Sequence, residues 1–225
     1  MKVMLPISDD DWFSGTVAQS SKMDTRPGES WKSLMGSENR DARAWFLVAN
    51  HLMACTHEHM QRTRETNEND KLILENEVSC FKLSLPSQMQ LGSAKFCAEA
   101  ESSAQYNWII GIHLMLSVTS FMLSSPLFKS KASSIPISLR QDVAGATRAR
   151  ILEISSIAAL WPALLIQTAH PFFACMLLPV HNGSKESTDP AISLSNRDLV
   201  SLILAVFARN WELGSCALRK SQDRS

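Results

Sequence analysis

The sequence predicts an all-α fold, a multi-helix bundle, and three observations carry that reading. Apolar residues recur at spacings of three and four in successive segments, as on helices with one covered face. The period-two alternation of a half-buried strand is almost absent. Two long stretches, Ser102 to Phe128 and Ile154 to Ser184, contain no Lys, Arg, Asp or Glu, which suits helices covered on most sides. The 225 residues and 25.0 kDa fit one domain or part of a larger one. With 45% hydrophobic and 20% charged residues, a wholly disordered chain is excluded.

Residues 1–36 read as an irregular, polar opening segment with embedded anchors. Asp9-Asp10-Asp11 stand directly before Trp12 and Phe13. Asp ahead of a short helix supplies oxygens for orphan N–H groups and suits the positive end of the dipole. A metal site or an acidic activation patch is the competing reading, but three adjacent Asp cannot all face one ion. Residues 37–218 form the helical region, and 219–225 are expected to fray.

The first long helix is predicted over 41–62, where Trp45, Val48, Ala49 and Leu52 form one stripe. It carries His51, Cys55 and His59 at i, i+4 and i+8, with His57 nearby. Imidazole and thiolate can bind zinc. At about 1.5 Å rise per residue the three span roughly 12 Å, so they cannot reach one ion together. His57-Glu58-His59 is not the H-E-x-x-H pattern, because Gln61 stands where its second His belongs. The face is read as a polar edge, and no metal ligand is assigned.

Thr63 to Asp70 reads as a polar linker. A second helix follows with Leu74, Val78, Phe81 and Leu85 on its stripe, ended by Pro86. A loop is expected over 87–93, then a mixed stretch to Ser103. The helix over 104–123 is apolar nearly all round, which predicts a central, covered element. Ser138-Leu139-Arg140-Gln141 matches a capping box. It opens a long helix through Ile151, Ile154, Ile157 and Ala158 towards Trp161, which Pro162 is expected to kink or break. His170-Pro171 reads as a new start, and Val180 to Asn196 as a loop with two turn-forming clusters. Ser195-Asn196-Arg197-Asp198 opens the last helix, with a stripe of Leu199, Leu202, Ile203 and Val206. It runs to about Trp211, with Gly214 as its cap.

Charge and cysteines narrow the function classes. The 22 basic and 22 acidic side chains cancel, giving no electrostatic reason to expect DNA or RNA binding. Five Cys, an odd number with no C-x-x-C pair, read as reduced, mostly buried thiols of an intracellular protein. The apolar run at Met1 to Pro6 is too short for a signal peptide. No G-x-S-x-G, G-x-x-x-x-G-K-[ST] or G-x-G-x-x-G occurs. His113 and His170 read as core residues without a carboxylate nearby in sequence. No enzyme, catalytic residue or cofactor is expected. The uncharged stretches are long enough to span a bilayer. Asn107, His113 and several hydroxyls interrupt the first, and Pro162, Pro171 and Pro179 the second. Buried helices are the preferred reading, and a membrane-associated helical protein is the alternative.

Several segments match one family in order. Leu5-Pro6-Ile7-Ser8-Asp9-Asp10-Asp11-Trp12-Phe13-Ser14-Gly15 resembles the "LP-x-x-D-D-D-W-x-x-G" segment of fungal zinc-cluster transcription factors. Trp31 to Leu34 with Ala44 to Asn50 resembles their "W-K-x-L … A-W-F-L-V-x-N". Cys80 to Pro86 resembles "C-F-x-L-x-L-P", and Tyr106 to Ile110 with His113 the aromatic-rich helix that follows. Pro171-Phe172-Phe173 is similar to a helix start in the family. Ala208 to Ser215 is similar to its closing "Y-W-x-x-G-S".

The match runs from about Leu5 to Ser215. It implies the C-terminal part of the helical regulatory domain of such a nuclear regulator, a fragment or shortened paralogue. The family's six-Cys zinc cluster, basic linker and coiled coil are absent from this sequence, so no direct DNA contact by this chain is expected. The resemblance further implies protein partners of the transcription machinery or a zinc-cluster regulator, and a small-molecule effector. A ligand pocket is expected around Trp108–Leu123 and Ile154–Met176, since ligand sites in helical proteins lie between apolar helices.

Overall fold

The computed structural model describes residues 4–7, 13–15, 20, 22–26, 29–35, 41–61, 68–91, 103–124, 137–183 and 190–222. Among them the protein is all-α, as the periodicity predicts. It has no strand there, and an isolated bridge joins Met4 and Lys22. The chain divides into two compact units, Met1–Thr119 and Ser120–Ser225.

The first unit contains α1 (Lys32–Met35), α2 (Ala42–Gln61) and α3 (Glu68–Ser84), a 3-10 turn at Ser87–Met89, and most of α4 (Ser103–Ser124). Asp41 caps α2: its Oδ1 accepts the Arg43 backbone N–H at 2.7 Å, satisfying one of the orphan donors of the first turn. The Arg43 guanidinium then reaches the Ile7 carbonyl at 2.9 Å, tying the opening segment to the helix. The predicted stripe of Trp45, Val48, Ala49 and Leu52 is fully buried.

Helix α3 starts at Glu68, so Glu68, Asn69 and Asp70 belong to the helix instead of the expected linker. Acidic residues there suit the positive end of the dipole. Leu74, Val78, Phe81 and Leu85 are buried as predicted. Pro86, at φ −54° and ψ 149°, follows the end of the helix. The expected loop holds the 3-10 turn, whose Met89 is buried. His113 Nε2 donates to the Met89 carbonyl at 2.7 Å, which gives the half-buried histidine the partner a core reading requires. Ile109, Ile110, Ile112, Leu114, Met115 and Leu116 of α4 are all buried, the covered element the sequence predicts. Trp45 meets Phe81 edge-on at 5.6 Å, and Phe46 meets Trp108 at 5.0 Å.

The second unit contains α5 (Ile137–Ala159), α6 (Ala163–Ile166), α7 (Phe173–Met176), α8 (Leu178–Gly183), α9 (Pro190–Asn210) and α10 (Glu212–Gln222). Helix α5 begins one residue ahead of the Ser138 expected to cap it, and it ends before Pro162 as expected. Trp161 is the hub of the unit, 5.8 Å from both Phe173 and Phe207.

Five expectations are corrected here. The described cysteines, expected to be mostly buried, are half-buried at Cys55, Cys175 and Cys216 and exposed at Cys80. The loop expected over 180–196 is helical at both ends: α8 reaches Gly183, and Pro190 opens α9, the first-turn position where its missing N–H does no harm. The buried stripe of α9 is Val200, Ile203, Leu204 and Phe207, and Leu202 faces out. His170 is exposed, its Nδ1 accepting the Phe172 N–H at 3.3 Å, and so is not a core residue. Gly214 lies inside α10 instead of capping α9, against the backbone of Phe207 and Ala208.

Candidate functional site

Helices α2 and α3 pack together in the first unit, and the polar groups of interest lie on this pair. Glu77 stands on the covered face of α3 beside Val78, and it is 5% exposed. Its Oε1 accepts the Ser30 hydroxyl at 2.6 Å, across 47 positions of sequence. Ser30 is buried too, and Leu34, one turn on, is fully buried. A carboxylate taken out of water needs such a donor, because an unpaired one would lose its full hydration. The bond therefore fixes the 29–35 segment to α3.

On α2, His51 Nε2 and Cys55 Sγ lie 3.6 Å apart, one helical turn from each other. His57 points elsewhere and pairs with Gln61 at 2.7 Å on the exposed side. His59 is half-buried one turn beyond Cys55. Among the described residues no three His, Cys, Asp or Glu could hold a metal ion. The Asp9–Asp11 cluster lies outside the described residues.

Burial pushes the Cys55 thiol above its ordinary range, and the negative charges of Glu77 and Glu58 push it further. A raised pKa keeps the sulfur protonated, and a protonated thiol is a weak nucleophile and a weak metal ligand. The same shift favours the fold below the unfolded thiol's pKa, a contribution lost as pH rises through the folded value. Two further groups complete the polar set. Among the described residues the Thr56 hydroxyl and the Trp45 indole N–H are buried without a hydrogen-bond partner. What this arrangement does chemically is hold: it anchors a segment through a buried carboxylate.

Sequence reasoning missed Ser30 and Glu77. A signal for Glu77 was present, since it sits between Leu74 and Phe81 on a stripe otherwise apolar. Nothing local marks Ser30. The thiol geometry also predicts an order of labelling. Iodoacetamide near pH 8 should modify exposed Cys80 well before half-buried Cys55, read by peptide mass spectrometry on the folded chain. Equal rates would contradict the protonated, sheltered thiol.

No protein-family model, curated protein or solved structure matches the chain.

Proposed function

We propose that this chain is a helical regulatory domain of the fungal zinc-cluster transcription-factor type. On this reading it acts in the nucleus through protein contacts or small-molecule sensing, and its partners are the transcription machinery or a zinc-cluster regulator. It makes no direct DNA contact and performs no reaction. The observation that carries the reading is the order of six family-like segments along one chain, from Leu5–Gly15 to Ala208–Ser215.

The structure lends support of a general kind. The matched segments Trp31–Leu34 and Ala44–Asn50 supply buried Leu34, Trp45 and Phe46, and Cys80–Pro86 supplies buried Phe81 and Leu85.

The test is a tethered reporter. Fused to an unrelated DNA-binding domain in a fungal cell, the chain should change transcription from a reporter carrying that domain's site. An unchanged reporter, with the fusion present in the nucleus, would overturn the proposal.

A second reading rests on one observation. The stretch Gln105–Ser124 is long and apolar enough to cross a membrane, and 72% of its best window is buried inside the protein. A covered helix of that kind belongs to a protein core as readily as to lipid. Carbonate extraction separates the two readings: the regulatory reading requires the chain in the supernatant, the membrane reading in the pellet.

A further inference from the structure

The segment 29–35 is bonded almost wholly to itself and to Arg26. The Glu29 backbone N–H donates to the Arg26 carbonyl, that of Lys32 to Glu29, and that of Leu34 to Trp31. The Ser33 hydroxyl donates to the Ser30 carbonyl at 2.8 Å, and the Lys32 ammonium pairs with the Glu29 carboxylate at 2.6 Å. Lys32 also stands 5.8 Å from the centre of the Trp31 ring. Among the described residues, a single hydrogen bond joins this segment to another helix, and it is the one from Ser30 to Glu77. No backbone bond there ties it to α2 or α3.

Burial supplies the rest of the hold, and only along one edge. Ser30 and Leu34 are buried four positions apart and Trp31 is half-buried, while Lys32 and Met35 are exposed. In the sequence Gly28 and Gly36 bracket the segment, and glycine leaves a chain its greatest backbone freedom. Glu77 weighs against the closed arrangement. At 5% exposure its carboxylate has lost most of its water, and the Ser30 hydroxyl that replaces it is a neutral donor. Among the described residues no cation pairs with this carboxylate. The hydration that Glu77 would regain therefore offsets much of what separation from Ser30 and Leu34 would lose.

We propose that residues 29–35 form a strap that opens and closes as one piece, with the Ser30–Glu77 bond as its latch, while α2 and α3 stay folded. The strap leaves with its own hydrogen bonds intact, so opening breaks one bond and withdraws one edge of side chains. Elements that move are drawn from parts of a fold held this lightly. Closed, the strap shuts an acidic group into the apolar stripe of Leu74, Val78 and Phe81. Open, it presents that carboxylate to solvent. A leucine in place of Glu77 would suit the stripe better, so the buried charge serves release at the expense of stability.

The inference is independent of the regulatory reading, because it is tested on the purified full chain alone. Native-state hydrogen exchange, followed by NMR, should find the Lys32 and Leu34 amides opening at least about a hundredfold more often than the Val48 to Leu52 amides of α2. Ser30→Ala removes the donor and leaves the Glu77 carboxylate unpaired when the strap is closed. It should speed exchange in the strap about tenfold or more and leave the α2 amides unchanged. Glu77→Gln should act in the opposite direction. Its amide oxygen still accepts from Ser30, and a neutral amide loses less on burial than a carboxylate, so strap exchange should slow. An ordinary structural bond would weaken with either substitution. The circular-dichroism signal of each variant shows that its helices are retained. Strap amides that exchange in step with those of α2 would overturn the inference. So would a Ser30→Ala chain whose strap exchanges at the parent rate, or a Glu77→Gln chain whose strap exchanges faster.

Discussion

Replacing Trp45 by Ala should lower the unfolding free energy of the first unit by roughly 3–5 kcal/mol, the range for a fully buried aromatic truncated to Ala. Trp45 is 1% exposed, at the centre of the α2 stripe, and its ring meets Phe81 of α3 edge-on. Truncation opens a cavity where the two helices meet, and it removes a ring contact worth about 0.5–1.5 kcal/mol beyond area burial. Trp45→Phe should be far milder, because the phenyl ring fills much of the same space and the orphan indole N–H disappears with the substitution. A urea titration followed by circular dichroism reads both variants. Near-equal midpoints for Trp45→Ala and Trp45→Phe would show that the ring does not bridge α2 and α3.

That contrast also explains which parts of the molecule were legible from sequence. The stripes of α2 and α3 could be read directly, because their buried residues recur at three- and four-residue spacing beyond the apolar runs Ala44–Ala49 and Leu72–Leu74. Helix α4 was legible for the opposite reason, being apolar on every side. In α9 the run from Leu199 to Phe207 is so densely apolar that several phases fit it. The packing of Phe207 on Trp161 selects the one observed. Pro190 follows Asp189 in what reads as a turn, yet proline serves equally as a helix opener, and the sequence carries no sign of which role applies. The polar site was half-legible. Glu77 stood in register on an otherwise apolar stripe, while the hydroxyl that satisfies it comes from Ser30, far off in the chain. Long-range pairing of that kind leaves no local pattern.

Cys55 shows the same limit from the other side. The i, i+4, i+8 spacing of His51, Cys55 and His59 was legible, but the chemistry depends on the surroundings. Burial and the nearby carboxylates of Glu77 and Glu58 keep the sulfur protonated, and spacing alone cannot report that. A helical face that looks like a ligand set in sequence thus becomes the packed edge of a helix in the fold.

Two glycine substitutions in the second unit should move stability in opposite directions. A Cβ on Gly214 would stand 2.4 Å from the Phe207 carbonyl carbon, 2.6 Å from its oxygen and 2.7 Å from the Ala208 nitrogen. All three are backbone atoms of α9, so no side chain can swing aside, and α10 itself must retreat. That retreat would strain the Trp211 N–H to Phe207 carbonyl bond of 2.8 Å and the Ser215 hydroxyl to Ala208 carbonyl bond of 3.0 Å. It would also disturb Phe207, which packs on Trp161. Gly214→Ala should therefore destabilise the second unit at or above the upper end of the ~1–3 kcal/mol typical of overpacking. Gly145 is exposed within α5, with nothing within 4 Å of an added Cβ. Gly145→Ala should accordingly stabilise by roughly 0.5–1 kcal/mol through helix propensity. Thermal midpoints of the two variants beside the parent chain decide the matter, and a Gly214→Ala protein as stable as the parent would refute the close approach of α10 to α9. The same physical demand gives a reason for the Gly214-Ser215 pair. The glycine lets the two helices touch, and the serine one residue later bonds the backbone that this contact brings within reach.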